Sequence, residues 1–243
     1  MCLIVVGLGA ASGYPLIVAA NRDEQHARPT RSAGWWQVER VFGGRDLEAG
    51  GTWLAVDGRG RFAAVTNIRD REPRTGPRSR GALAAGFLTG TDTAARYAAR
   101  AVRDGADFGA FNLLLFDGHE LHFASNRGAA TRLPTGLHAF SNAPPGTEWP
   151  KTATALAGTE RLLTHPAPVE SLFALLAERD DSGADELRKQ RSHFVVGPIY
   201  GTRCSTVVLL GATARMTFAE RTFDAAGAFV GEVRESFELD RRA

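Results

Sequence analysis

Apolar residues dominate positions 2–8 and 14–20, and the Gly, Ala and Ser residues between them predict a β-hairpin at the start of the chain. The following 30 residues are polar, rich in arginine and glycine, and read as loop. Strand patterning returns at 52–56 and 62–66, joined by Asp57-Gly58-Arg59-Gly60. Those residue types tolerate positive φ, so a second hairpin is expected there. Alanine-rich segments at 81–88 and 93–103 predict a helix pair, with Thr91 or Asp92 available as an N-cap. Four short strands are expected at 111–116, 120–124, 130–133 and 137–141, split by Gly, Asn and Pro. A second helix pair follows at 151–164 and 169–178, with Pro166 and Pro168 at the join. Residues 180–190 are charged and read as an exposed loop or a short helix. Strands at 204–210, 214–220 and about 230–237 complete the pattern.

This order of strands, helix pair, strands, helix pair and strands places the chain in the α+β class. Hairpin-linked strands argue for antiparallel sheets, which amphipathic helix pairs should cover on their outer faces. Two such sheets packed together make a four-layer αββα sandwich, although the pattern alone leaves other α+β arrangements open. No repeat, low-complexity tract or composition break marks a boundary, so one domain is expected over residues 1–243.

Composition narrows the function classes. At 243 residues, 44% apolar and 23% charged, the chain is ordinary for a globular protein and long enough to bury a substantial core. The net charge is +2. Basic residues do cluster at 69–80, but proline, glycine and acids interrupt them. That stretch reads as a solvated loop able to line a site for an anion. With the charge local and no aromatics interleaved, nucleic acid is not expected as a partner. The apolar start lacks a preceding basic segment, and no stretch approaches 18 apolar residues. Neither a signal peptide nor a membrane span is therefore expected, and a cytoplasmic location is. Two cysteines, Cys2 and Cys204, are too few for a disulfide scaffold and are expected as thiols. His119-x-x-His122 falls on an expected strand, and no Cys/His cluster has ligand spacing, so no metal is expected. Gly50-Gly51-Thr52-Trp53 lacks a following Walker lysine and reads as close backbone packing. Trp35-Trp36 reads equally as a core anchor or as a lip for an apolar ligand.

The sharpest candidate for chemistry is Cys2, directly behind Met1. Removal of Met1 would put a thiol and a free α-amino group on one residue. An α-amino group titrates near 7.7–8.0, so a fraction is basic at neutral pH and can take the thiol proton. The first hairpin ends in Asn21-Arg22-Asp23-Glu24. In a tight hairpin Arg22 lies beside Cys2, where a guanidinium lowers a thiol pKa. Asp23 is then placed to bind and orient the liberated amine. Against this stands the ordinary reading of Arg22 and Asp23 as a surface pair or a turn.

A chain opening Met1-Cys2 with Asn21-Arg22-Asp23-Glu24 about 20 residues on resembles the NRDE family, which includes the transport and Golgi organisation proteins. The resemblance runs nearly end to end. It includes Arg28-Pro29, Gly50-Gly51-Thr52-Trp53-Leu54, Thr66-Asn67, Arg80-Gly81, Phe111-Asn112-Leu113, Ser125-Asn126-Arg127-Gly128, Ser141-Asn142-Ala143, Trp149-Pro150-Lys151 and Gly201-Thr202-Arg203. The family in turn is similar to cysteine N-terminal nucleophile hydrolases such as penicillin V acylase and the bile-salt hydrolases. The resemblance implies their αββα fold and cleavage of a small-molecule amide or acyl bond, with no cofactor required.

It further implies catalytic roles for Cys2, Arg22, Asp23, Asn142 and Arg203. Asn142, and Asn67 in addition, would donate to an oxyanion, an effect often worth about 3–4 kcal/mol. Arg203 would hold the site's electrostatics or a substrate carboxylate. The alternative it implies is a carrier in haem trafficking or acyl-CoA and lipid metabolism. Such a carrier would use Arg22 or Arg74 for propionates, His26 or a cysteine as an axial ligand, and basic loop residues for phosphates. Asn21 and Glu24 complete the expected ligand-binding set.

Overall fold

The computed structural model describes residues 2–37, 40–69, 76–163, 169–180, 182 and 185–240. Its chain gathers into two compact units, each assembled from separated segments. The first takes residues up to Ala27, then Thr135–Ser141 and Glu148–Phe237; the second takes Arg28–Pro134, Asn142–Thr147 and the segment from Glu238.

The first unit is built on a six-stranded antiparallel sheet. Its strands are β1 (Leu3–Ala11), β2 (Tyr14–Gln25), β10 (Gly136–Ser141), β11 (Tyr200–Leu210), β12 (Arg215–Phe223) and β13 (Phe229–Glu238), in spatial order β10-β1-β2-β11-β12-β13. The first hairpin is the predicted one, with Leu3 opposite Asn21 and Leu8 opposite Leu16. Leu3, Val5, Ile17, Ala19, Val207, Leu209 and Ala219 share one face of this sheet. They pack on Ala155 of α3 (Pro150–Leu162) and on Leu172, Phe173 and Leu176 of α4 (Val169–Leu176). The charged run after them contains a short helix, α5 (Asp185–Arg191).

The second unit holds a seven-stranded antiparallel sheet in the order β3-β4-β5-β6-β7-β8-β9. The strands are β3 (Thr30–Trp35), β4 (Val41–Asp46), β5 (Leu54–Asp57), β6 (Phe62–Asn67), β7 (Phe111–Phe116), β8 (Leu121–Ser125) and β9 (Thr131–Leu133). The turn between β5 and β6 is the predicted one, with Gly60 at φ +85° and Asp57 Oδ1 accepting from Arg59 N and Arg61 N. Val41, Ala55, Ala63, Val65, Leu113 and Leu115 meet α1 (Gly81–Thr89) and α2 (Ala94–Arg103) through Leu83, Phe87, Tyr97 and Ala98. The cap of α2 is Thr93, whose side chain accepts from Arg96 N, rather than Thr91 or Asp92.

Two strands, β3 and β4, occupy sequence expected as loop. In the sheet β3 is an edge strand, and Gly34, Gly43 and Gly44 are poor strand formers, so the segment carries no local strand signal. The glycines answer to packing instead. A Cβ on Gly44 would enter the Trp53 ring, and one on Gly43 would lie 2.5 Å from Ala55 Cβ. Gly51, at φ +77°, meets Gly81 backbone so closely that no side chain fits, in line with the close packing expected of Gly50-Gly51. Trp36 is buried in the core of this unit, whereas its neighbour Trp35 is 43% exposed.

Candidate active site

The polar end of β2 is the seat of the candidate site. The strand runs past its apolar stretch to Gln25 because β11 pairs along it: β1 reaches only to Leu3 opposite Asn21, while Ser205, Cys204, Thr202 and Tyr200 of β11 face Asn21, Arg22, Asp23 and Gln25. Asn21, Arg22 and Asp23 are all buried despite their polarity. Such groups are stable only when hydrogen-bonded or paired.

Each is held in a different way. Asn21 Nδ2 donates to the carbonyls of Leu176 and His193, both at 2.8 Å, and its Oδ1 accepts from Ser205 Oγ at 2.6 Å. Asn21, expected as a ligand-binding residue, thus ties the sheet to the end of α4 and to the chain entering β11. Arg22 lies 3.9 Å from Glu24. Asp23 Oδ1 accepts from Thr202 Oγ1 at 2.7 Å, and that hydroxyl oxygen in turn accepts from Val195 N at 2.9 Å.

Cys2 directly precedes β1, with its Sγ 3.8 Å from the carbonyl oxygen of Asp23. Arg22, expected to act on the Cys2 thiol, stands opposite Cys204 of β11 and pulls on that thiol instead. The same carbonyl accepts from the Tyr200 hydroxyl at 2.9 Å. Burial pushes the Cys2 thiol up; the Asp23 carboxylate adds to this, while the cation of Lys151 opposes it. The Tyr200 hydroxyl is likewise raised, first by burial and then by the negative charges of Cys2 and Asp23.

Lys151 was not among the expected site residues. It is 0% exposed, at the second position of α3 behind Pro150, with its Nζ 5.7 Å from the Trp149 ring centroid. Burial pulls its ammonium down, and the negative charges of Asp23 and Cys2 oppose that. A helix N-terminus also disfavours a cation. A lysine enclosed at that position is therefore costly for the fold, and the Asp23 carboxylate is its electrostatic counterweight. The signal lay in Trp149-Pro150-Lys151, where a cation directly follows a helix-starting proline.

Arg203 occupies a β-bulge, where the pairing of β11 with β2 skips from Thr202 to Cys204. A bulge re-aims a side chain. Here Arg203 Nη1 donates to the carbonyls of Gln25 at 2.9 Å and His26 at 3.1 Å. Burial and the nearby Arg22 cation push its guanidinium down. The His26 ring is bonded through Nε2 to the Gly197 carbonyl at 2.9 Å. Cys204 is fully enclosed, and burial with the Glu220 carboxylate holds its thiol well above the ordinary range.

The first unit thus brings together Cys2, Asn21, Arg22, Asp23, Glu24, His26 and Arg203. Asn67 and Asn142 lie in the second unit and bind each other: Asn142 Nδ2 donates to the backbone oxygen and to Oδ1 of Asn67, each at 2.7 Å. Arg74, with residues 70–75 of the arginine loop, falls outside the described residues. Among the described residues no three His, Cys, Asp or Glu side chains gather as a metal site. Nor is any described helix long and apolar enough to cross a membrane.

The family model for Transport and Golgi organisation 2 matches residues 1–225. A Transport and Golgi organization protein 2 homolog from Bos taurus is 34% identical over 241 residues, covering 87% of each chain. The homolog from Homo sapiens is 32% identical over the same length and coverage. Among solved structures, a Caenorhabditis elegans N-acylethanolamine-hydrolyzing acid amidase ortholog superposes with a TM-score of 0.54. At 12% identity it covers 86% of this chain and 92% of its own. That likeness is one of fold: antiparallel sheets with helices, in the α+β manner of N-terminal nucleophile hydrolases.

Proposed function

The chain belongs to the Transport and Golgi organisation 2 family, and from that premise we propose that Cys2 is the nucleophile of an amide- or acyl-bond hydrolase acting on a small molecule. The observation that carries this is the Cys2 Sγ contact with the Asp23 carbonyl at 3.8 Å, where the anchored Asp23 carboxylate and the enclosed Lys151 both act on the thiol. A fold shared with an amidase supports it. In the proposed reaction Met1 is removed first. The α-amino group of Cys2 then takes the thiol proton, and Asp23 holds the resulting ammonium. Sulfur attacks the carbonyl carbon, forming a C–S bond. As the C–N bond breaks, the ammonium returns its proton to the leaving nitrogen. Water then cleaves the thioester, releasing the acid and restoring the thiol. Arg22 and Arg203 supply positive potential to the site, toward which an anionic end of a substrate would be drawn.

Two measurements test it. Intact mass of protein purified from cells should lack Met1; retention of Met1 removes the amine from the nucleophile's own residue and ends this mechanism. A panel of N-acyl amides, N-acylethanolamines included, should be hydrolysed by the trimmed protein and not by Cys2→Ala. Equal rates for the two proteins exclude Cys2.

One observation favours a second reading. With Met1 in place, burial holds the thiol protonated, and a protonated thiol is a poor nucleophile. The same polar site would then carry a ligand without turnover, haem or an acyl-CoA being the classes at issue. Titration with hemin and with palmitoyl-CoA, against Arg22→Gln and His26→Ala, tests that reading; binding at background level for both removes it.

A further inference from the structure

In the second unit, and independent of Cys2, the edge of the seven-stranded sheet holds a cavity of about 360 Å³. Its lining includes Arg31, Ser32, Gly34, Gln37, Gly43 and Arg45. Arg31 and Arg45 are direct partners in the antiparallel register of β3 and β4, as are Gly34 and Gly43. Residues directly opposite project to the same face with Cβ atoms about 5 Å apart, and like charges so placed repel. Two cations at such a position raise the question of a counter-charge. Among the described residues neither arginine has a carboxylate partner, and no carboxylate lines the cavity.

Arg45 is also fixed in advance. Its guanidinium lies 4.3 Å from the centroid of the Trp36 ring. Trp36 is itself buried and donates through Nε1 to the Gly43 carbonyl at 3.1 Å. Stacking on an indole fixes the plane of a guanidinium while leaving its edge N–H groups open to bind an anion. Gly34 leaves the floor clear: a Cβ there would meet nothing within 4 Å.

We propose that this cavity binds a small phosphate monoester through Arg31 and Arg45. Charge and size together select that class. Two guanidinium groups match a phosphomonoester, which carries about −1.5 to −2 at pH 7, better than a monocarboxylate. Arg also pairs with phosphate oxygens in bidentate fashion. The volume, at the small end of ligand pockets, exceeds what a bare phosphate fills, so an organic group has room beside it. The Ser32 hydroxyl and the Gln37 amide add uncharged donors at the wall.

Isothermal titration at low salt with phenyl phosphate, inorganic phosphate and benzoate tests the assignment. Phenyl phosphate should bind one to one, at least tenfold more tightly than either other probe, and more weakly as salt is added. Arg31→Gln, an exposed substitution, should weaken it tenfold or more. Gly34→Leu should abolish binding by filling the floor, with circular dichroism confirming the fold. Cys2→Ala should bind as wild type does. The proposal is overturned if phenyl phosphate gives no saturable heat at millimolar concentration or if Arg31→Gln binds unchanged. It is equally overturned if benzoate or inorganic phosphate binds as tightly as phenyl phosphate.

Discussion

At the scale of single residues, the balance around Cys2 is set by charges brought together from distant parts of the chain. Only the thiolate reacts with an alkylating agent. In protein that retains Met1, burial raises the thiol from 9.0, and Lys151 is a cation that pulls it back. Iodoacetamide labelling of Cys2, read by peptide mass, should therefore stay slow at pH 7 and rise only above pH 9. Lys151→Met should move the rise to still higher pH. A midpoint below 9, or one that Lys151→Met leaves in place, would contradict this account. The closeness of Cys2 to Asp23 was legible because one hairpin carries both. Lys151 was not, because nothing local joins it to Cys2; it reaches the cluster only when α3 docks on the sheet.

At the scale of elements, polar side chains take over where apolar pairing ends. Asn21 binds two carbonyls from different parts of the chain. Asn21→Ala leaves both buried acceptors unpaired, at about 1–3 kcal/mol for each such group. Ser205→Ala removes a single donor and should cost about 1 kcal/mol. Urea unfolding of the two variants should rank them in that order, and equal midpoints would refute the fastening role of Asn21. At α2 the cap is a single hydroxyl, so Thr93→Ala should cost about 1 kcal/mol while Thr91→Ala leaves stability unchanged. The hairpins and helix pairs were readable because their signals are local, lying in alternation, turn residues and caps. Strands β3 and β4 were not: Gly43 and Gly44 of β4 answer to Ala55 and Trp53 on neighbouring elements, and β3 is defined only by its pairing with β4. The same holds for the polar extension of β2 through Asn21–Gln25, which forms because β11, distant in sequence, pairs along it to Gln25.

At the scale of the whole molecule, each compact unit is woven from separated segments, so a boundary in space leaves no linker or composition break in the sequence. What fastens such a unit must come from contacts distant in sequence, and in the second unit two carboxylates do this. Asp117 accepts from His119 N and Glu120 N in its own turn and from Ala94 N at the start of α2. Asp46 accepts from Glu48 N and Ala49 N and from the Arg28 guanidinium. Burial alone would raise both, but those donors outweigh it and hold each carboxyl below 3.8. The sign follows from proton linkage. A folded-state pKa below the unfolded value means that the unfolded chain takes up more protons as pH falls. The stabilisation is therefore present above pH 3.8 and is lost as pH drops through the folded value. Acid also leaves the 29 lysines and arginines unopposed, which adds self-repulsion to every variant alike. Asp117→Asn separates the two effects, because it removes one linked group and leaves the repulsion. The variant should be less stable than wild type at pH 7. Below pH 3.8 its unfolding free energy, from urea titrations at stepped pH, should fall less steeply with acid. Parallel slopes for the two proteins would mean that general repulsion, not the tie from Asp117 to α2, governs acid unfolding.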